Sequence, residues 1–195
     1  MALCDSMTNQ LQPVYFLGID PSISSTGLSV LSMHDNNQFV LHYKTSLTTK
    51  SNKEHDKTRF KKKFALNSMF IFALDYIEKE LKIKPSFAVF EDYSYGSVGH
   101  LAHLGELNGM YKCELSKRKI EFDVIAPSSV KKRITGSGKA TKEEVAAGLP
   151  SFVTNYGNFA FNNNDETDSV AVGVAYALTM VEMMNESAKN TEQTE

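Results

Sequence analysis

VYFLGIDPSISSTGLSVLSM, residues 14–33, is the stretch that decides the fold. Its first six residues are almost wholly apolar and stop at Asp20-Pro21. A short continuous apolar run bounded by a turn reads as a strand buried on both faces. Residues 26–33 and 38–47 read as second and third strands, and Asp35-Asn36-Asn37 between them has hairpin-turn chemistry. After a polar, basic stretch at 48–63, apolar residues fall at helical spacing over 64–81: Leu66, Met69, Phe70, Ala73, Leu74, Ile77 and Leu81. Pro85 closes that connection, and FAVF at 87–90 is a second buried-strand pattern, ending at Glu91.

Downstream, the spacing predicts a Gly- and Tyr-rich turn at 93–97, a helix over 101–115 and a strand over 122–126 that Pro127 ends. A basic segment containing Gly136-Ser137-Gly138 runs to Lys142. Thr141 and Glu144 then stand in capping-box spacing for a helix over 141–147. Asn162-Asn163-Asn164 can supply the N-cap of a long C-terminal helix over 165–184. Three strands, a helix, a strand, a helix, a strand and further helices make an α/β order, an antiparallel hairpin leading into parallel strands. The expected organisation is a flexible leader at 1–12, one domain over 13–185 and an acidic disordered tail at 186–195.

A chain of 195 residues supports one ordinary core and is too short for two full-sized lobes. With 42% hydrophobic and 23% charged residues, wholesale disorder is excluded. The net charge of -2 argues weakly against a partner as acidic as DNA, but it hides a segregation. Residues 50–63 carry +5 and residues 112–142 carry +6, which leaves -13 on the rest. Cys4 and Cys113 sit in no metal-like spacing and read as free thiols of a reducing compartment. The first residues have no basic start followed by an apolar run. The most apolar stretch, about 15 residues from 170 to 184, is interrupted by Glu182 and falls short of the ~20 needed to span a bilayer. A cytoplasmic location with no membrane partner is the expectation.

Asp20 and Glu91 are each the first charged residue after a buried-looking strand. Ligand sites of open α/β sheets lie at the carboxyl ends of strands, although an acid there can also simply cap a turn. Asp165 and Asp168, at i and i+3, share one face in the first turn of a largely apolar helix, where the helix dipole also favours acids. Together the four suggest an acidic site for a hard divalent cation such as Mg²⁺. Two such ions can activate water and stabilise a leaving oxygen in phosphodiester cleavage.

These residues fall in three of four segments that resemble, in order and spacing, the RuvC Holliday-junction resolvases. FLGIDPSISSTGLSV resembles the first motif, with Asp20 at the metal-ligand position, and AVFEDYSYG resembles the second, with Glu91 as ligand. APSSVKKRITGSGKATKEEV is similar to the basic segment, and NNDETDSVAVGVAYAL to the C-terminal helix with Asp165 and Asp168 as the paired aspartates. The resemblance covers residues 14–182. It implies an RNase H-like fold with a mixed central sheet, a homodimer, and paired nicking of opposing strands of a four-way DNA junction. It also implies two Mg²⁺ per site, with Mn²⁺ as substitute, and products bearing 5′ phosphate and 3′ hydroxyl.

Under the same resemblance Lys131 stands at a DNA-contacting position and Lys142 at that of a lysine assisting catalysis. Lys132, Arg133 and Lys139 lie in the same basic segment as further DNA-binding candidates. Two positions depart from the family pattern: Ser22 follows Asp-Pro where glycine is usual, and Ser94 stands where the bacterial enzymes place a wedging Phe. Tyr93 or Tyr95 can stack on exposed bases there, or pack locally. The block at 50–63 is read as a further phosphate contact. His100 and His103 are read as surface or core packing, and Met180, Met183 and Met184 as core or interface filler. Three other readings remain at this point. One is a related nuclease of the same fold cutting other branched DNA or structured RNA, and another is a non-catalytic junction-binding protein. The third, a phosphotransferase sharing the first motif, needs a second lobe that this length does not provide.

Overall fold

A computed structural model describes residues 13–34, 37–49, 56–92 and 101–192 of the chain. Five strands form one sheet: β1 (Tyr15–Asp20), β2 (Ser25–His34), β3 (Gln38–Thr48), β4 (Phe87–Glu91) and β5 (Glu121–Ile125). Their order is β3-β2-β1-β4-β5, antiparallel across β1, β2 and β3 and parallel from β1 to β4 to β5. This is the mixed sheet expected from residues 14–33. β1 is buried on both faces because it lies in the middle. Leu17 and Ile19 pack with Leu28, Val30, Ala88 and Phe90 against α1 (Asp56–Lys79) and α2 (Leu101–Lys117). Phe16, Leu31 and Val89 pack on the opposite face against Val170, Val174 and Ala175 of the C-terminal helix α5 (Asn164–Glu192).

α1 starts earlier than the apolar spacing predicted and takes in Lys61, Lys62 and Lys63. Lys63 is buried and ion-paired with Glu106 of α2, so the expected phosphate contact fails at this residue. It sits on the inner face of α1, one turn before Leu66 and two before Phe70, where a buried ammonium requires a carboxylate. His103 lies beside the pair, its Nδ1 3.4 Å from Lys63 Nζ. Residues 50–55 lie outside the described residues, as do Tyr93, Ser94, Tyr95 and Cys4. Cys113 is free and exposed.

The segment read only as basic contains a helix, α3 (Pro127–Thr135), with Pro127 at its start and Gly136 closing it at φ 82°. Val130 and Ile134, four apart, bury its inner face. The predicted capping box of α4 (Lys142–Gly148) is present: Thr141 Oγ1 accepts from Glu144 N at 3.2 Å, and Thr141 N donates to Glu144 Oε2 at 2.7 Å. Residues 152–155 cover the outer edge of β3, where the Asn155 amide bonds both Leu41 N and Leu41 O as a strand would.

α5 runs to Glu192, so residues 186–192, expected as a disordered tail, are helical. No Gly or Pro follows Gly173 within it to stop the helix. Met183 and Met184, at the end of the expected helix, are exposed and are not core. Among the described residues no helix is long and apolar enough to cross a membrane.

Candidate active site

β1 and β4 run parallel with Ile19 opposite Phe90, which sets Asp20 and Glu91 side by side at the two strand ends. Strand alternation turns both carboxylates toward α5, on the face that carries Phe16 and Val89. The two carboxyls are near enough to bear on each other's ionisation. Burial pushes Asp20 up to about 8, and the charges of Glu91, Asp168 and Asp165 push the same way against Lys142. Burial and then the charge of Asp168 hold Glu91 above its ordinary value as well. Desolvation and like charge act together, and the pair carries a proton where isolated carboxyls would have lost it.

The aspartates of α5 reach this rim because two glycines let the helix lie directly on the sheet. Gly27 is paired with Asp20 across β1 and β2, and a Cβ there would stand 1.9 Å from the Asp165 carbonyl oxygen. A Cβ on Gly18 would stand 2.0 Å from Ser169 O. Only glycine admits so close an approach. Asn163 caps the helix, accepting from Glu166 N at 3.1 Å, which orders the turn that bears Asp165 and Asp168.

Lys142, the first residue of α4, bonds Asp168 Oδ2. Burial alone would lower its pKa, but the bond to Asp168 and the charges of Asp20 and Glu91 hold it raised and therefore protonated. Lys131 on α3 is near enough to Glu91 to pull that carboxyl's pKa down. Asp20, Glu91, Asp165, Asp168, Lys142 and Lys131 thus converge from five elements. Lys132 and Lys139 are exposed, the first on α3 and the second on the turn before α4. Arg133 is engaged by Glu182 of α5.

Two supports carried no obvious signal in the sequence. The fully buried Thr26 donates to Ser22 O and accepts from Ser22 N, and its Oγ1 lies 3.1 Å from the Tyr111 hydroxyl of α2. It pins the Asp-Pro-Ser turn behind Asp20 through side-chain bonds, so Ser22 is accommodated where glycine is usual. Lys44 of β3 is paired with Glu166, the acid between the two aspartates and out of phase with them.

The donor set is all carboxylate oxygen, with no His or Cys, which is the chemistry of Mg²⁺ or Mn²⁺ rather than zinc. Among the described residues no group of three acids, histidines or cysteines is drawn tightly enough to hold a metal ion as it stands. The fit therefore rests on donor chemistry and on crowded negative charge that one ammonium does not relieve.

A family profile described as crossover junction endodeoxyribonuclease RuvC matches residues 16–176. The RuvC enzyme of Prochlorococcus marinus strain MIT 9312 is 25% identical over 163 residues, covering 84% of this chain and 93% of its own. That of Rickettsia massiliae is 28% identical over 166 residues, covering 84% and 96%. Among solved structures, Thermus thermophilus RuvC in complex with a Holliday junction substrate superposes with a TM-score of 0.67 at 21% identity, over 84% of this chain and 93% of that one. The yeast mitochondrial Holliday junction resolvase Ydc2 follows at 0.53 and 14%, over 83% and 78%. The fold is that of these resolvases.

Proposed function

From the premise that the chain belongs to the crossover junction endodeoxyribonuclease RuvC family, we propose that it resolves four-way DNA junctions by metal-dependent nicking of opposing strands. The observation that carries this reading is the Asp20–Glu91 pair, set side by side at the ends of two parallel strands and faced by Asp165 and Asp168 across a glycine-thin contact. A protein that only bound DNA would gain nothing from four acids turned toward phosphates.

Asp20, Glu91, Asp165 and Asp168 are the residues that would hold Mg²⁺, as two ions shared among them, with Mn²⁺ as substitute. Bound there, such ions supply Lewis acidity toward a phosphate oxygen and generate a nucleophile from water at neutral pH. The rest is done by the chain. Lys142 keeps its proton beside Asp168 and offsets the charge that develops on the departing 3′ oxygen. Lys131 meets a phosphate next to Glu91, and Lys132 and Lys139 extend the contact along the backbone. Arg133 joins them by exchanging Glu182 for phosphate. The products carry 5′ phosphate and 3′ hydroxyl, and residues 13–185 act as one nuclease domain. A second copy of the chain in a homodimer supplies the second cut that junction symmetry requires.

Incubation with an end-labelled mobile four-way junction, with and without Mg²⁺, tests the proposal. Symmetric nicks in opposing strands are expected only with metal. Preferential cutting of flap, Y-shaped or RNA substrates in the same panel would transfer the activity to another branched nucleic acid, and no cleavage in Mg²⁺ or Mn²⁺ would leave a binding protein. Lys142→Met is expected to lower the single-turnover rate by about 10²–10³-fold. Its junction affinity should stay within a few-fold of the parent. A lost affinity at an unchanged rate would make Lys142 a docking residue.

A further inference from the structure

Glu166 is a third carboxylate on the turn that bears Asp165 and Asp168, yet it faces away from them and is almost wholly buried. It meets Lys44 of β3, whose side chain is only 9% exposed, with Nζ and Oε2 2.5 Å apart. Lys44 also donates to Ala160 O and lies 5.2 Å above the Phe161 ring. Glu166 accepts from Asn162 N at 2.8 Å and from Asn162 Nδ2 at 3.1 Å. Asn163, the cap of α5, donates in turn to Ser46 Oγ at 2.8 Å, again on β3.

A buried ion pair is weak evidence for stability, because two apolar side chains of similar volume commonly do as well. What this pair supplies is orientation. Successive helical residues point about 100° apart. With Glu166 locked onto β3, the directions of Asp165 and Asp168 are locked toward β1 and β4. The glycine contacts at Gly18 and Gly27 set how close α5 lies, and the Lys44–Glu166 bond sets how its first turn is rotated.

We infer that Lys44 and Glu166 are positioning residues, which hold Asp165 and Asp168 at the angle the divalent ion requires and thereby set its affinity. The inference rests on the reading of the four carboxylates as a metal-dependent nuclease site.

The test uses the full chain and four variants. Glu166→Gln keeps the shape and the Asn162 contact, Lys44→Met removes the ammonium, and Lys44→Arg keeps the charge. Arg118→Met breaks a different ion-pair network, which joins Asp75 and Glu78 of α1 to α2, and serves as a control for lost stability. The readouts are the Mg²⁺ concentration at half-maximal thermal stabilisation and at half-maximal single-turnover cleavage. Glu166→Gln and Lys44→Met should raise both midpoints 10–100-fold, the penalty typical of losing a partner that orients a metal ligand. The rate should recover at saturating Mg²⁺, Lys44→Arg should lie near the parent, and Arg118→Met should melt earlier at an unchanged midpoint. Midpoints within two-fold of the parent in Glu166→Gln overturn the inference while the nuclease reading stands, as does an equal shift in Arg118→Met. A parent chain whose melting and cleavage ignore Mg²⁺ removes both.

Discussion

Asp20→Asn is expected to lower cleavage by at least about 10³-fold, since a metal ligand supports several kcal/mol of transition-state stabilisation. It should leave junction binding intact, because the lysines that meet phosphate are untouched. The same change should stabilise the metal-free protein. Asp20 titrates near 8 folded against 3.8 in its reference state, chiefly through burial and then through Glu91 and Asp168. Between those values the folded chain holds a proton that the unfolded chain has released, so stability falls as pH rises through the window. Asparagine removes that loss. The stability gap in favour of Asp20→Asn should open from about pH 4 to about pH 8 and stay open above. It should reach several kcal/mol, or on the order of 10 °C in melting temperature. Mg²⁺ reverses the comparison, because it raises the melting point of the parent by binding its folded state and should do little for the variant. Melts over pH 4–9 with EDTA and with Mg²⁺ check both signs. Full metal-dependent cleavage by Asp20→Asn would remove this residue from the site.

The parts of this molecule legible in its sequence are those where one local signal suffices. VYFLGI, FAVF and FDVIA mark β1, β4 and β5 to within a residue at each end because a short apolar run between turn residues has few other fates, and the Thr141–Glu144 box is capped as its spacing demands. Asp20 and Glu91 could be placed on one rim because both end buried strands. α3 carries no clear local signal, because its three consecutive basic residues mask the i, i+4 pair Val130 and Ile134. Lys63 misleads for the opposite reason. Its neighbours are charged and solvated, and only the packing of α1 on α2 reveals that this lysine faces inward. The roles of Thr26, Tyr111, Lys44 and Glu166 depend on contacts 85 and 122 residues apart in the chain, and no local pattern encodes those distances. Local chemistry named the reacting groups; the groups that aim them are long-range.

Gly27→Ala should be the most damaging change that touches no functional side chain. Its Cβ would stand 1.9 Å from the Asp165 carbonyl oxygen, and real Cβ contacts essentially never fall under 3.0 Å, so a gap of about 1 Å must open. β2 cannot supply it, because Gly27 is held between Asp20 of β1 and Ser46 of β3. The first turn of α5 must therefore lift, and Asp165 and Asp168 lift with it. A misplacement of that size costs about 10²-fold in rate when reacting groups must align. The strain of overpacking should cost about 1–3 kcal/mol, or roughly 3–10 °C of melting temperature. Gly109→Ala, in α2 with open space around its missing Cβ, is the matched comparison and should melt at the parent temperature or slightly above it. The informative quantity is the Mg²⁺ midpoint of Gly27→Ala measured well below its melting point. If lifting the helix separates Asp165 and Asp168 from Asp20 and Glu91, that midpoint rises together with the fall in rate. A variant that melts early but keeps the parent's rate and midpoint would mean that α5 can yield without carrying its aspartates away. The glycine contact would then position the core and not the site.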